Sequence, residues 1–395
     1  MTLRAQASRL PSTVWALGFV SLFMDASSEL IHSLLPLFLS VSLGASTDAI
    51  GLIEGTADGI AQIGKLFSGA LSDRLGSRKP WILAGYGFSA LTKPLFPLAN
   101  GVLLVAGARF LDRAGKGLRD SPRDALLADA TPADARGAAY GLRQGLDTVG
   151  AIVGPLSASG LMLLYAGNIR ATLWWSVLPA VLCVLTLAVF VREPARRKPL
   201  KAQPRPGFRG LKELPFAFWI ATAVAAALTL ARFSDAFLIL RGHSLGLSLA
   251  EAPIIMVTMN VVYALTSYPA GALSDRIGRR GLLAAGAVAL IGADIALGLT
   301  DGNALLWIGV GLWGLHMGLT QGLLSALVAD AAPVALRGTA FGIFFAISGT
   351  ALLLASAGAG ALWDIFSPGT PFFVGAVLAA ASLLLLPAVA RAQQA

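Results

Sequence analysis

Four apolar stretches of this chain carry ionisable side chains spaced so that each group falls on one side of a helix. Asp25, Glu29 and His32 lie in "MDASSELIHSLLP"; at 100° per residue they fall within about 60° of arc. Glu54, Asp58, Gln62 and Lys65 fall within about 80° on the next stretch. Arg109, Asp112, Arg113, Lys116, Arg119, Asp120, Arg123 and Asp124 occupy about 140° of a third. Arg143 and Asp147 stand at i and i+4 on a fourth. The chemistry these residues suit is reversible protonation. Burial favours a neutral carboxyl and a neighbouring arginine favours a charged one, so a carboxylate between the two trades a proton readily. The structural alternative for any one deep charge is a static ion pair, since a charge in an apolar medium needs a partner whatever its role.

Counting 1.5 Å of rise per residue, Asp25, Asp58 and Arg113 come near mid-depth of their stretches. Arg119, Arg123 and Asp124 come near one end. The later half of the chain is poorer in such groups, offering Arg232, Asp235, Arg241, Asn260, His316 and Gln321. The candidates for proton coupling or solute binding are therefore Asp25, Glu29, Glu54, Asp58, Arg109, Asp112, Arg113, Lys116, Arg143 and Asp147, joined by Asp235 and His316. Proton coupling is expected mainly in the first half, and solute shape mainly in the second. No nucleophile and base arrangement, metal box or phosphate loop appears. His32, His243 and His316 lie far apart, so no metal, cofactor or enzymatic chemistry is expected.

The elements that must position these residues are membrane spans. Of 395 residues 56% are hydrophobic and only 13% charged, where a soluble domain carries about a quarter charged. Apolar runs of about 20 residues cross a bilayer, and twelve can be bounded: 13–42, 48–72, 80–99, 101–128, 137–166, 170–191, 215–241, 249–273, 281–300, 303–329, 337–362 and 371–391. The first continues well past a signal-peptide core and contains Asp25 and Glu29, so it reads as an uncleaved span. Each ionisable stripe must then face protein or water inside the helix bundle.

The net charge of +9 is dispersed, and no nucleic-acid module accompanies it. It follows topology instead. Arg4, Arg9, Arg74, Arg78, Lys79, Arg136, Arg276, Arg279, Arg280 and Arg337 fall on one side, together with the basic, proline-rich connection 192–214. Opposite loops are almost free of Lys and Arg. Both termini are thus expected in the cytoplasm, in a multi-pass protein of a bacterial-type inner membrane. The single cysteine, Cys183, lies in an apolar run and reads as a small buried hydrophobe.

The sequence repeats itself across 192–214. "GALSDRLGSRK" at 69–79 recurs as "GALSDRIGRRG" at 271–281, and "ALLADATPADARGAAYGL" at 125–142 recurs as "ALVADAAPVALRGTAFGI" at 326–343. Two blocks sharing nearly one offset mark two copies of a six-helix unit. The expected domains are 1–191, a linker at 192–214, and 215–395.

The repeated loop resembles the G-x-L-x-D-R-x-G-x-[RK]-[RK] motif of the major facilitator superfamily. Gly69, Asp73, Arg74, Gly76 and Lys79 fill it in the first copy, and Gly271, Asp275, Arg276 and Gly278 in the second. The resemblance implies an all-α membrane protein, twelve transmembrane helices in two six-helix bundles, working by alternating access. Its loop motif would act as a cytoplasmic latch of charge pairs; the plainer alternative is a topology signal. In span five, Gly141, Gly150, Gly154 and Pro155 match G-x8-G-x3-G-P, which looks like the motif of the drug:proton antiporter branch, though Ser159 departs from its usual ending. Helix packing alone would also select these glycines. In this family spans one, four, seven and ten line the cavity with two, five, eight and eleven beside them. The charges follow that layout, and the outer spans hold only Lys93 and Asp294 clear of their ends. The expectation is a monomeric secondary transporter whose partners are a small polar or charged solute, protons and the lipid bilayer, with no nucleic acid. Proton-coupled export leads. A facilitator or importer without proton exchange follows, and a membrane-embedded enzyme or lipid scramblase is a distant third.

Overall fold

The computed structural model describes residues 10–75, 77–132, 135–194, 213–333 and 336–387. Helices stand at every predicted span. Span one is Ser12–Leu37, continued by a π-helical turn Phe38–Ser42; span two is Thr47–Leu75; span three is Lys79–Thr92 with a short turn Leu95–Leu98. Span four is Val102–Asp129, span five Arg136–Leu164, and span six Ile169–Trp174 with Val177–Phe190. Span seven is Phe216–Ala231 with Ala236–Ser244, and spans eight to twelve are Ile254–Ile277, Arg279–Leu299, Asn303–Ala331, Arg337–Ile365 and Thr370–Leu383. Among the described residues, seven helical stretches are long and apolar enough by composition to cross a membrane. Spans two and four have the length but carry the ionisable stripes.

The chain divides into two compact units, Met1–Leu34 with Ile60–Arg205, and Leu35–Gly59 with Pro206–Ala395. The first half of span two thus groups with the second unit. The predicted linker falls largely on 195–212, outside the described residues. In the first unit, Val14, Leu17, Met24, Tyr86, Leu126, Cys183 and Leu187 make one core cluster. In the second, Phe218, Val224, Leu283, Leu327 and Phe344 make another. Large apolar side chains such as Leu103, Leu163, Leu164, Leu354 and Leu384 are exposed instead. That pattern suits helices bathed in lipid, where burying Leu against Leu gains little over burying it in acyl chains.

Helix breaks fall where the residues demand them, and neighbours satisfy the groups they free. Pro94 has no N–H to continue the helix, and span three ends at Thr92. Span six breaks after Trp174, and the Ser27 hydroxyl of span one donates to the Ser176 carbonyl at 2.7 Å. In the second unit, the Asp364 carboxylate caps span two, accepting from the Thr47 N–H at 3.3 Å and the Asp48 N–H at 2.8 Å. Negative charge there also suits the positive end of the helix dipole. Between spans eight and nine the backbone turns through Gly278 at φ +84°, a conformation that costs glycine little.

Candidate functional site

Spans one and five meet backbone to backbone. A Cβ added at Gly150 would lie 2.5 Å from the Leu22 carbonyl and 3.1 Å from the Asp25 Cβ; one at Gly154 would lie 2.6 Å from the Ala26 carbonyl and 3.0 Å from the Glu29 Cβ. Both glycines and Pro155 are buried. Gly141, by contrast, has nothing within 4 Å of where its Cβ would be. Two of the predicted motif glycines therefore hold span five against the acidic face of span one.

That approach brings Asp147, one turn before Gly150, to Asp25. The two carboxyl groups stand within hydrogen-bonding reach. Two carboxyls bond to each other only by sharing a proton, since ionised carboxylates have nothing to donate. Around them, Arg143 Nη1 lies 3.5 Å from Asp147 Oδ2. Lys116 adds positive charge near both acids and Arg123 near Asp147. Rise along the helices places Arg113 of span four at the same mid-depth as Asp25. Arg113 does stand near Glu29, together with Lys116, and His32 Nδ1 is 3.4 Å from Glu29 Oε2. The partner of Asp25 is instead an acid from span five.

The other predicted residues spread through both units. Asp112 is engaged by the buried Lys93, whose ammonium donates to Asp112 Oδ1 and to Ser28 Oγ, each at 2.9 Å. Arg109 is buried on span four, and Glu54 and Asp58 lie on the part of span two that belongs to the second unit. Asp235 sits in the break of span seven and accepts from Trp313 Nε1 at 3.0 Å. His316 is buried, with Nδ1 2.8 Å from the Gly286 carbonyl.

The basic end of span four makes bonds that helix spacing could not reveal. Arg119 lies over the Tyr86 ring at 4.5 Å and donates to Ser89 Oγ at 2.5 Å. Arg123 reaches Asp124 at 3.0 Å and Asp120 at 3.6 Å, and Lys65 of span two reaches Asp120 at 3.3 Å.

The predicted latch is partly described. Gly69 and Gly271 lie in spans two and eight, and Gly278 forms the turn already noted. Gly76 and the side chains of Asp73, Arg74, Asp275 and Arg276 lie outside the described residues. Glu193, which sequence reasoning passed over, accepts from the Arg78 N–H at 2.7 Å and from the N–H of Lys79 at 3.1 Å. Arg78 pairs with Asp129 at 2.9 Å, and Arg279 pairs with Asp330. Asp129 and Asp330 occupy the same place in the two "AD" repeats. An ion pair of the same kind thus joins the two repeated sequence blocks in each half of the chain.

The model of the Major Facilitator Superfamily matches residues 17–241 and 236–394. An uncharacterized MFS-type transporter of Methanocaldococcus jannaschii is 34% identical over 389 residues, covering 95% of this chain and 94% of that protein. The cis,cis-muconate transport protein of Acinetobacter baylyi is 26% identical over 391 residues, covering 93% and 92%. Among solved structures, the nucleoside transporter NupG superposes with a TM-score of 0.73 at 15% identity, covering 97% of this chain and 99% of that one. A likeness at that identity speaks for the fold alone. With its helices, its doubled loop motif and these matches over nearly its whole length, the chain belongs to the Major Facilitator Superfamily and is a membrane transporter rather than an enzyme.

Proposed function

We propose that this transporter exports a small polar or charged solute in exchange for protons, by alternating access, and that the proton is carried by the Asp25 and Asp147 carboxyl pair. The observation that carries the reading is the meeting of these two acids at the glycine contact between spans one and five. Deprotonating the pair would leave two negative charges facing each other in an apolar setting, which costs several kcal/mol unless a cation or a rearrangement answers it. Lys116 and Arg143 stand ready on one side, and a solute able to displace them would couple its own binding to loss of the proton. Export is favoured by the span-five glycines, which match the antiporter motif and act on the coupling acids themselves. Supporting parts of the same reading are two six-helix bundles joined by the 192–214 connection, a monomeric state, and an inner-membrane location with both termini cytoplasmic.

The test uses proteoliposomes loaded with a pH-sensitive dye. A thermal-shift screen of organic anions, cations and nucleosides, with cis,cis-muconate as the first probe, supplies the solute. Wild type should concentrate that solute against its gradient when a proton gradient is imposed. Asp25→Asn and Asp147→Asn should abolish this uphill movement and the accompanying proton flux while leaving binding and solute exchange intact. Uphill transport by both variants at the wild-type rate would overturn the coupling assignment. Uphill transport unaffected by collapsing the proton gradient in wild type would overturn proton coupling altogether.

A further inference from the structure

The two halves of the chain place opposite charges at one repeat-related position. In span three, a Cβ on Gly85 would lie 2.7 Å from the Gly115 carbonyl and 2.7 Å from the Arg119 Cβ; in span nine, Gly286 packs likewise on Leu319, Thr320 and His316. Gly85 and Gly286 are 201 residues apart, as are Arg119 and Thr320, and Gly115 and His316. The same step takes Lys93 to Asp294. Both residues are fully buried. Lys93 directs its charge to Asp112 and Ser28. Asp294 has no such answer: neither carboxylate oxygen has a hydrogen-bond partner among the described residues.

Of the charged and titratable groups on the packed elements, Asp235, Arg241 and His316 are engaged elsewhere. Trp313, at the position equivalent to Asp112, gives its N–H to Asp235. Arg241 of span seven donates to the Leu297 and Thr300 carbonyls at 3.0 and 2.6 Å, and His316 of span ten is held on Gly286. Arg232, in the span-seven break, adds its charge near His316. Span twelve, Thr370–Leu383, contains no ionisable residue.

What does face Asp294 is a second electronegative group. Span seven stops at Ala231, and Arg232 continues in an extended conformation before the helix resumes at Ala236. The Ala231 carbonyl therefore lacks the amide that a continuing helix would supply, and it carries the negative end of the helix dipole. A Cβ on Gly375 of span twelve would lie 2.7 Å from Asp294 Oδ2 and 3.0 Å from the Ala231 carbonyl oxygen. Carboxylate and open carbonyl thus lie together under the closely packed backbone of span twelve at Gly375. Broken-helix carbonyls beside a buried acid are a recurrent way for transporters to hold sodium ions or protons.

We propose that Asp294 and the Ala231 carbonyl, closely covered by Gly375, form a binding site for a small monovalent cation, a proton or a sodium ion. The bound cation does in the second half what the Lys93 ammonium does permanently in the first. Because the cation can leave, its occupancy governs the stability of the span-seven break and, through it, Phe233, which packs on Trp313 and Phe372 at 5.4 and 5.2 Å between ring centroids. The site is separate from the Asp25 and Asp147 pair, and its test measures stability rather than transport, so either assignment can fail without the other.

The full-length protein, purified in detergent, is unfolded thermally in sodium, lithium and choline chloride at constant ionic strength, and in choline across a pH series. If the cation is sodium, wild type should gain about 3 °C in Tm in sodium over choline. If it is a proton, wild type should show no sodium effect but should gain stability as the pH falls. In either case Asp294→Asn, permanently neutral, should lose the response and match or exceed wild-type stability in choline at neutral pH. Asp25→Asn should keep the part of the response that Asp294→Asn removes. Gly375→Ala, which retains the carboxylate but drives a methyl group against it and the Ala231 carbonyl, should lose the response too, and serves where Asp294→Asn does not fold. Ion and pH responses in Asp294→Asn or Gly375→Ala equal to those of wild type would overturn the proposal.

Discussion

At the scale of single residues, the buried charges divide into those whose charge is permanently answered and those whose state can change. Lys93 and Asp112 belong to the first kind, with side chains 1% and 4% exposed and 2.9 Å apart. Their separate substitution, Lys93→Met or Asp112→Asn, strands a charge in low dielectric and should each lower stability by about 3 kcal/mol or more. The double variant should cost less than the two together by about 0.5–3 kcal/mol, the signature of groups that touch. Thermal unfolding of the four proteins measures this, and strict additivity would show that the pair is not a unit. Asp25 and Asp147 belong to the second kind. Their contact depends on a proton, so neutral substitution should spare folding and alter transport.

At the scale of elements, glycine decides which helices can exchange chemistry. Gly150→Ala would push a methyl group into the Leu22 carbonyl and the Asp25 Cβ, and overpacking of this kind costs about 1–3 kcal/mol. The larger expected effect is functional, because separating spans one and five parts the two acids. Proton-driven uptake in proteoliposomes should fall severalfold in Gly150→Ala and Gly154→Ala, while Gly141→Ala, with open space around it, should transport as wild type. Equal loss in all three would reduce the glycine motif to general helix packing. The G-x8-G-x3-G-P spacing was legible in the sequence, but its partner helix was not. Nothing in the linear pattern says which neighbour a small face touches.

At the scale of the whole molecule, the Lys and Arg bias of the short loops predicts that Ser46→Cys and Pro368→Cys react with an impermeant maleimide in intact cells, whereas Arg205→Cys reacts only after permeabilisation. Cys183 is buried and should stay silent in all three. Labelling of Arg205→Cys from outside would reverse the orientation. The sequence by itself determined the class of protein, the positions of the twelve spans, the internal repeat and the faces that carry charge. Each of these is written in local periodicity and in the cost of placing polar groups in lipid. It also identified the acids of spans one and five as candidates. Only the tertiary structure decided partnership. Asp25 meets Asp147 rather than an arginine of span four, Lys93 takes Asp112, Glu193 ties down the loop after span two, and Asp294 is left facing a broken helix. Partnership depends on which helices come into contact and at what register, and those follow from small-residue contacts and helix breaks summed over many elements. A helical wheel gives the direction in which a side chain points, but only packing supplies what it finds there.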